Sequence, residues 1–371
     1  MMAKFTDIFE DVTKQGTKIP TNLYLETGMY PIIDQGQSQV AGYTNETEGV
    51  FTDIPAIIFG DHTRIIKYVY APCFLGADGV KLLKARDDNA NYKYLYYALC
   101  SADIPNTGYN RHFKWLKEID IQEYPIEEQN RIVAQLEKID TLIFLRKQQL
   151  SKLDELVKSR FIEMFGDPKT NPNSFDIVSF NECVEYMGDI GSNGANQVVV
   201  DHLDMKDEED YALMVRFLNF TKNDFTADVK YISKESYEFF KKSQIFGGEL
   251  IICKIGSAGQ NYVMPYLNRP VSLGLNQIMV RINEKTLMPY LYRYINSDYG
   301  KQLISGCING AVTKSITKTE LKKIPVMIPP MELQNEFVAF IEQIDKSKFE
   351  IKKSLEKLET LKKALMQQYF G

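Results

Sequence analysis

The chain has 371 residues, of which 44% are hydrophobic and 25% charged, a composition typical of a globular protein with two or more domains. No apolar run is long enough to span a membrane, and the acid-containing N-terminus does not resemble a signal peptide. The net charge is −5, so binding to nucleic acid would need local basic patches or a basic partner.

The cysteines give no sign of a metal site or a redox pair. They are odd in number, widely scattered and surrounded by apolar residues, and they contain no CxxC motif. Such a pattern is typical of a reduced compartment. We therefore expect a cytoplasmic protein that uses no structural metal.

Residues 1–118 predict a β-rich domain with one or two helices, because short β-branched and aromatic runs alternate with Gly and Asn. The stretch "AIIFGDHTRIIKYVYAPCFLGADGVKLLKA" predicts strands separated by turns, and "YLYYAL" predicts an aromatic helix. A polar and basic loop follows Gly108. Its side chains are of the types that contact phosphates and base edges, and they make the loop a candidate DNA-binding site: Tyr109, Asn110, Arg111, His112 and Lys114.

Residues 119–166 predict one long helix. The helix starts after Pro125 and runs without Pro or Gly from about Glu127 to Phe165, which corresponds to roughly 57 Å at 1.5 Å per residue. A helix of this length needs a partner along it. The apolar positions at 3/4 spacing predict the contact face of a coiled coil: Ile132, Leu136, Ile139, Ile143, Leu150, Leu153 and Val157.

Residues 167–323 predict a linker followed by a second β-rich domain. The stretch "FGDPKTNPNSF" is a Pro- and Asn-rich linker, and residues 250–282 repeat the strand and turn pattern of 56–85. The "GSAG" turn and the loop after Gly310 again carry polar and basic side chains. A solvated loop is the alternative for any one of them, but both domains place such a loop just before a long helix. The candidate DNA-binding residues here are Lys254, Ser257, Lys314, Ser315, Thr317 and Lys318.

Residues 324–371 repeat residues 119–166 without a gap and with 19 identities over 48 positions. The helical phase is therefore kept, and we expect the two helices to pack on each other as an antiparallel pair about a pseudo-two-fold axis. Two unrelated surface helices on separate cores are the alternative. The second contact face contains Phe337, Ile341, Ile344, Ile351, Leu355, Leu358 and Leu365.

No pattern predicts catalysis by this chain. His62, His112 and His202 lack metal-ligand spacing. The "GSAG" turn lacks the dinucleotide-binding glycine pattern, and "GCINGAVTKS" lacks the second glycine of a phosphate loop. "NPNSF" departs from the Asn-Pro-Pro-aromatic motif of amino-methyltransferases and lies in the linker. We therefore predict no catalytic residue and no metal site.

Taken together, these features resemble the specificity subunit of type I restriction-modification systems over the whole chain. The matching segments are "YPIEEQNRIVAQLEKID", "IPPMELQNEFVAFIEQID", "RFIEMFGDP", "FGDHTRIIKYVYAPCFLGADGVKLL" and "GGELIICKIGSAG". Tyr124 stands where family members often have a proline, and Leu333 replaces the glutamate found at Glu128. The second difference puts a contact at the helix start in doubt.

The resemblance implies an α+β fold with two β-rich target recognition domains separated by two long helices that form an antiparallel coiled coil. It divides the chain into a first recognition domain (1–118), a central helical region (119–166), a linker with the second recognition domain (167–323) and a C-terminal helical region (324–371). Each domain would read one half of a split, asymmetric site in double-stranded DNA. The helices would set the spacing and dock two modification subunits.

The resemblance also implies that the chemistry belongs to partner subunits. S-adenosylmethionine is expected on the modification subunits, and ATP and Mg on the restriction or translocase subunits that can join them. The chain itself would carry no cofactor, would not be an enzyme and would have no membrane role. Two rivals stay open from the sequence: a coiled-coil scaffold without DNA specificity, and a self-contained DNA methyltransferase or nuclease.

Overall fold

The computed structural model of the chain describes residues 2–76, 79–108 and 110–371 and divides into two compact units. Unit 1 contains Met1–Gln149 and Glu350–Gly371, and unit 2 contains Leu150–Phe349. Each unit holds one globular domain, called domain 1 or domain 2, and a part of both long helices. The four regions predicted from the sequence divide the chain between its elements, so that each long helix stays whole. The compact units instead cut both helices, because each domain packs on the start of one helix and the end of the other.

Unit 1 is built from short strands, short helices, the start of one long helix and the end of the other. Its strands are β1 (Met2–Lys4), β2 (Phe9–Asp11), β3 (Tyr30–Ile33), β4 (Gly42–Thr44), β5 (Ala56–Gly60), β6 (Ile66–Val69), β7 (Phe74–Leu75), β8 (Val80–Ala85) and β9 (Asp120–Gln122). Its helices are α1 (Phe5–Ile8), α2 (Tyr92–Ser101), α3 (Phe113–Leu116) and the start of α4 (Ile126–Phe165). The strands predicted within residues 56–85 and the helix predicted at "YLYYAL" are confirmed.

The strands of unit 1 form a main antiparallel sheet in the order β2-β8-β5-β6 and a small mixed sheet in the order β4-β3-β7. In the mixed sheet β3 pairs in parallel with β7 and antiparallel with β4. Strands β1 and β9 form a separate antiparallel pair at the entrance to α4. The central strand β5 is buried at every position, as expected for a strand covered on both faces.

Unit 2 repeats this composition with a longer domain. Its strands are β10 (Asp176–Ser179), β11 (Val184–Gly188), β12 (Ala212–Val215), β13 (Lys230–Ile232), β14 (Gln244–Ile245), β15 (Leu250–Cys253), β16 (Asn261–Val263), β17 (Val271–Leu273), β18 (Gln277–Ile282), β19 (Ile308–Asn309), β20 (Ser315–Ile316) and β21 (Pro325–Ile328). Its helices are α5 (Asn196–His202), α6 (Phe217–Lys222), α7 (Lys234–Phe239), α8 (Met288–Ile295), α9 (Asp298–Gly306), α10 (Lys318–Leu321) and the start of α11 (Met331–Phe370).

The two domains share a core topology despite their different sequences, and domain 2 adds the strand β14 to its mixed sheet. The main sheet of domain 2 has the order β11-β18-β15-β16, and its mixed sheet has the order β13-β12-β17-β14. Strand β12 pairs in parallel with β17 and antiparallel with β13, as β3 does with β7 and β4. The weak sequence similarity between 56–85 and 250–282 therefore reports a real structural repeat.

The repeat extends further toward the N-terminus than the aligned region. Helices α4 and α11 are both 40 residues long and start 205 positions apart. The short helices α3 and α10 start at the same separation. The chain therefore repeats its backbone without a gap from just before each long helix to its end.

A glutamine fixes the start of each long helix. The side-chain amide of Gln129 donates to the Tyr124 carbonyl at 2.9 Å, and that of Gln334 donates to the Pro329 carbonyl at 2.9 Å. The acceptors are carbonyls, so the change from Pro329 to Tyr124 leaves this bond in place. Each bond ties the first helical turn to the strand that enters it.

The exchange of Glu128 for Leu333 changes a local contact. The Glu128 carboxylate pairs with Arg131 on the surface at 2.6 Å. Leu333 instead packs against the hydrophobic core of unit 2. One helix start is therefore held by an exposed ion pair, which contributes little, and the other by apolar burial.

The long helices run antiparallel within each unit. In unit 1, Lys362 reaches Asp140 at 2.5 Å and Lys147 reaches Glu359 at 3.3 Å. In unit 2, Lys348 reaches Asp154 at 2.5 Å. In unit 1 the residue number rises on one helix as it falls on the other, which defines the antiparallel direction. Across the described part of the chain, no helix is both long enough and apolar enough to cross a membrane.

Candidate DNA interface

The two candidate loops of domain 2 meet at one end of the main sheet. Strand β15 leads into Lys254 and the "GSAG" turn, and strand β20 precedes α10. The Ile316 amide donates to the Lys254 carbonyl at 3.0 Å, and Ile255 and Ser315 form a β-bridge. Residues that are some 60 positions apart in the sequence therefore lie side by side at this end of the sheet, which we call the edge of domain 2.

A buried carboxylate lies beneath this edge. Asp189, which follows β11, is 6% exposed. Its Oδ2 accepts a hydrogen bond from Lys254 at 2.9 Å and its Oδ1 accepts one from Lys318 at 2.9 Å. Ser192 donates to the same carboxylate at 3.0 Å. Burial by itself would raise the pKa of Asp189, but the hydrogen bonds from Lys254, Lys318 and Ser192 lower it to about 2.

The other candidate DNA-binding residues of domain 2 lie in the same two loops. Ser257 and Lys314 are exposed in their turns, and Ser315 is half-buried within β20. Thr317 caps α10, because its hydroxyl accepts from the Glu320 amide at 3.2 Å. Thr317 therefore already has a structural role, whereas Ser257 and Lys314 present their side chains to solvent.

In domain 1 the candidate residues lie between α2 and α3 and in the first turn of α3. Asn110, Arg111 and Lys114 are exposed, and Tyr109 lies outside the described residues. Lys114 lies over the Trp115 ring at 4.7 Å, a favourable cation–π distance. The exposed side chains of this loop are of the types that bind phosphates and bases.

His112 occupies a different place from the one the sequence predicts. Its side chain is fully buried. Its Nδ1 lies 3.0 Å from the Asp61 carbonyl, and its Nε2 lies 3.4 Å from the Thr107 hydroxyl. These contacts suit a ring that donates from Nδ1 to the Asp61 carbonyl and accepts at Nε2 from the Thr107 hydroxyl. The buried ring anchors the loop, so it does not face a duplex as predicted.

The apolar residues predicted for the helix pair fall into two groups. The buried group consists of Ile132, Leu136, Ile139, Val157, Phe337, Ile341 and Ile344. The half-buried group consists of Ile143, Leu150, Leu153, Ile351, Leu355, Leu358 and Leu365. Most of the buried residues also pack on the globular domain of their own unit. Half-burial is expected where a second helix covers only one side of a residue.

Three residues at these edges were not predicted from the sequence. Asp61 and Asp189 anchor the loops from beneath, and Val312 lies 97% exposed at the tip between β19 and β20. An exposed apolar side chain can contact the methyl group of thymine. In the sequence, Val312 could have been noticed as a lone apolar residue in a polar loop. The two aspartates are recognised only by their burial in the structure.

Within residues 2–76, 79–108 and 110–371, no group of three or more His, Cys, Asp or Glu side chains could hold a metal ion. The two domains instead present basic and polar loops at matching places before each long helix. The fold and the site thus define a two-domain nucleic-acid reader with a long-helix scaffold.

Comparison with known proteins agrees with this class. The family described as type I restriction modification DNA specificity domain matches residues 1–155 and 201–363. The chain is 23% identical over 339 residues to the EcoR124I/EcoR124II type I restriction enzyme specificity subunit of Escherichia coli, which covers 87% of this chain and 81% of that relative. The chain belongs to the type I restriction-modification specificity family. The predicted family is confirmed, and specificity subunits of this family are not enzymes.

Solved structures share the fold. The crystal structure of the S subunit of a type I restriction-modification system from M. genitalium matches with a TM-score of 0.60 and 16% identity, covering 100% of this chain and 96% of that one. A chain from a study of complex assembly and conformational transition of the type I system matches with a TM-score of 0.53 and 16% identity, covering 100% and 97%. The predicted mixed fold of two recognition domains and long helices is confirmed.

Proposed function

We propose that this specificity subunit reads an asymmetric two-part DNA sequence, with one half-site read by each recognition domain. The observation that carries the proposal is the pair of domains with one core topology but different edge loops, each followed by the same 40-residue helix. Domains with the same core topology would approach DNA in equivalent ways. Different loops would read different bases.

The loops differ in the chemistry that they present. Domain 1 exposes Asn110 and Arg111, which suit adenine and guanine edges. Domain 2 exposes Lys314 and Val312 at its tip, which suit a phosphate or guanine and a thymine methyl group. The two half-sites would therefore have different sequences.

The test is a domain exchange followed by methylome sequencing of cells that carry the chain with its modification subunit. Replacing residues 167–323 with the matching segment of another specificity subunit should change one half of the methylated motif and keep the other half. Replacing residues 1–118 should change the opposite half. A motif that changes in both halves, or in neither, would contradict the assignment.

We further propose that two copies of one modification subunit dock on the helices. Each helix carries exposed apolar residues at equivalent positions 205 apart: Phe144 and Phe349 are 59% and 63% exposed, and Leu156 and Leu361 are 46% and 48% exposed. Exposed large apolar side chains on a helix favour a protein partner. Since unit 1 holds Phe144 with Leu361 and unit 2 holds Phe349 with Leu156, each unit offers the same pair to one copy.

This stoichiometry is tested with Phe144→Ser and Phe349→Ser. Each single variant should bind one modification subunit instead of two, and the double variant should bind none, as measured by mass photometry. Leu23→Ser, an exposed change in domain 1, is the matched control. Two bound copies in either single variant would refute this docking site.

If this chain only recognises DNA, the cofactors belong to its partner subunits. We propose that S-adenosylmethionine is held by the modification subunits, and ATP and Mg by the restriction or translocase subunits that join them. The chain would act in the cytoplasm, where such a complex meets DNA. Incorporation of labelled S-adenosylmethionine by the purified chain alone would overturn the proposal.

A further inference from the structure

Asp189 connects three separate parts of domain 2. The end of β11 supplies the carboxylate, the residue after β15 supplies Lys254, and the start of α10 supplies Lys318. The carboxylate is buried, whereas the lysine side chains are 37% and 34% exposed. The arrangement therefore has a buried acid below and two partly exposed ammonium groups above it.

The ammonium groups keep capacity for another ligand. Lys318 donates to Asp189 and, at 3.0 Å, to Ser192. Among the described residues, Lys254 donates through its ammonium group to Asp189 alone. An ammonium has three donors, so at least one on each lysine remains to bind an anion. Two positive charges on one negative charge leave a net charge of about +1, which matches one phosphodiester group.

We propose that Lys254 and Lys318 together bind one phosphate of the DNA backbone, and that Asp189 is a positioning residue that holds them in register with the edge loops. The inference rests on the proposed function of domain 2 as a DNA reader. Phosphate contacts set where a protein lies along a duplex, while base contacts select the sequence. Asp189 would therefore affect specificity without touching DNA.

Domain 1 anchors its candidate loop from a different strand, because Asp61 follows β5, the counterpart of β15, whereas Asp189 follows β11. The Asp61 carboxylate accepts from the Phe113 amide at 2.7 Å, and Phe113 is the repeat equivalent of Lys318. There the carboxylate holds backbone rather than lysine side chains. The phosphate site is consequently a property of domain 2, and its effects should be confined to one half-site.

The test measures binding of the complex with its modification subunit by fluorescence anisotropy between 50 and 200 mM KCl. The duplex carries the methylated motif, and a second duplex has the half-site of domain 2 scrambled. Lys254→Met and Lys318→Met should each make the rise in Kd across this salt range about 3.5-fold smaller, as expected for one lost phosphate contact. Both duplexes should lose affinity alike.

Asp189→Asn should act differently. It removes the charge that holds the lysines, so cognate affinity should fall while affinity for the scrambled duplex is kept or increased. We expect the ratio of the two Kd values to shrink roughly tenfold, within the range that one base contact supplies. Lys285→Met, which removes an exposed lysine at the opposite end of the main sheet, is the control and should change neither slope nor ratio.

The outcomes separate the inference from the proposed function. If the domain exchange leaves both half-sites unchanged, the proposed function fails. If the exchange works but both lysine variants keep the wild-type salt slope, the phosphate site alone fails. A normal Kd ratio in Asp189→Asn, measured below the melting temperature of the variant, would refute the positioning role. Each lysine variant leaves Asp189 with the other lysine and Ser192 as partners, and its melting temperature is measured beside its Kd.

Discussion

The two units join their long helices to their recognition domains by different interactions. In unit 1 the Tyr97 hydroxyl donates to Asp140 at 2.8 Å, and Lys362 of the other helix donates to the same carboxylate. In unit 2 the equivalent of Asp140 is Asp345, which is exposed. A polar contact thus stabilises one junction, and among the described residues no such contact is found at Asp345.

Unit 2 fills its junction with aromatic rings. Their centroids are between 4.8 and 5.7 Å apart, distances that favour edge and offset contacts. The rings belong to Phe161, Phe165, Tyr290 and Phe337. The repeat equivalent of Phe337 in unit 1 is Ile132, also fully buried.

This difference shows which parts of the repeat are constrained. Helix length and phase are identical, because a shift of one residue would turn the apolar face away from its domain. The side chains at the junction are free to differ as long as they fill the volume and satisfy buried polar groups. The backbone is therefore repeated while the chemistry of the junction has diverged.

The largest expected effect is Phe337→Ala. Deleting a fully buried ring from the aromatic junction should cost about 3–5 kcal/mol. Hydrogen exchange should show loss of protection in unit 2 and little change in unit 1. The equivalent change Ile132→Ala should do the reverse and cost about 2–5 kcal/mol. Equal loss of protection in both units from either variant would contradict the separation of the two cores.

Asp140→Ala tests the polar junction of unit 1. It leaves the Tyr97 hydroxyl and the Lys362 ammonium without their common acceptor, so the free energy of unfolding should fall by about 1–3 kcal/mol. Chemical denaturation monitored for unit 1 measures the loss. Asp345→Ala, at the equivalent exposed position, should change stability by less than about 0.5 kcal/mol. A similar loss in both variants would mean that the junctions are not different.

Acid should weaken the loop anchor of domain 2. The pKa of Asp189 in the folded chain is about 2, below the ordinary value of 3.8. Its contribution is therefore fully present above about pH 4 and is lost as the pH falls through about 2. The amount is about 2 kcal/mol.

Denaturation at several pH values checks this expectation. Asp189→Asn should be less stable than the wild type near neutral pH, and the difference should shrink between pH 4 and pH 2. The exposed change Asp207→Asn serves as control and should follow the wild-type curve. A constant difference across the whole range would show that Asp189 is not stabilised by its charge.

The smallest expected difference concerns the glutamines at the helix starts. Gln334 is fully buried and accepts from the Leu287 amide at 2.9 Å and the Thr286 hydroxyl at 3.1 Å, whereas Gln129 is half-buried. Gln334→Ala should cost about 2 kcal/mol and Gln129→Ala about 1 kcal/mol. Thermal melting of both variants measures the difference. Equal costs would show that burial does not distinguish the two starts.

Much of the fold follows from local patterns. The helix predicted from Glu127 begins at Ile126 and ends at Phe165 as expected, because a 3/4 apolar period over 40 residues is a strong signal. The strands within 56–85 and 250–282 were also identified, since Gly and Pro separate their β-branched runs. The mixed sheets were not predicted, because their pairing joins strands distant in sequence.

The candidate site was predictable only in part. The loops after Gly108 and Gly310 stand out by composition. Arg111 and Lys314 in them are exposed, and their contact with DNA stays a prediction. The buried anchors were missed, because Asp189 lies 65 residues from Lys254 and 129 from Lys318. His112 was misread for the same reason, since its burial depends on Asp61, 51 residues away.

The sequence by itself determined the two long helices, their common phase and the family, because periodicity and an ungapped repeat are properties of neighbouring positions. Tertiary structure decided how each polar residue of the candidate loops is held. The same residue type can face solvent, as Lys314 does, or bind a buried acid, as Lys318 does. Burial and ion pairing depend on the groups that folding brings together, and no local pattern records them.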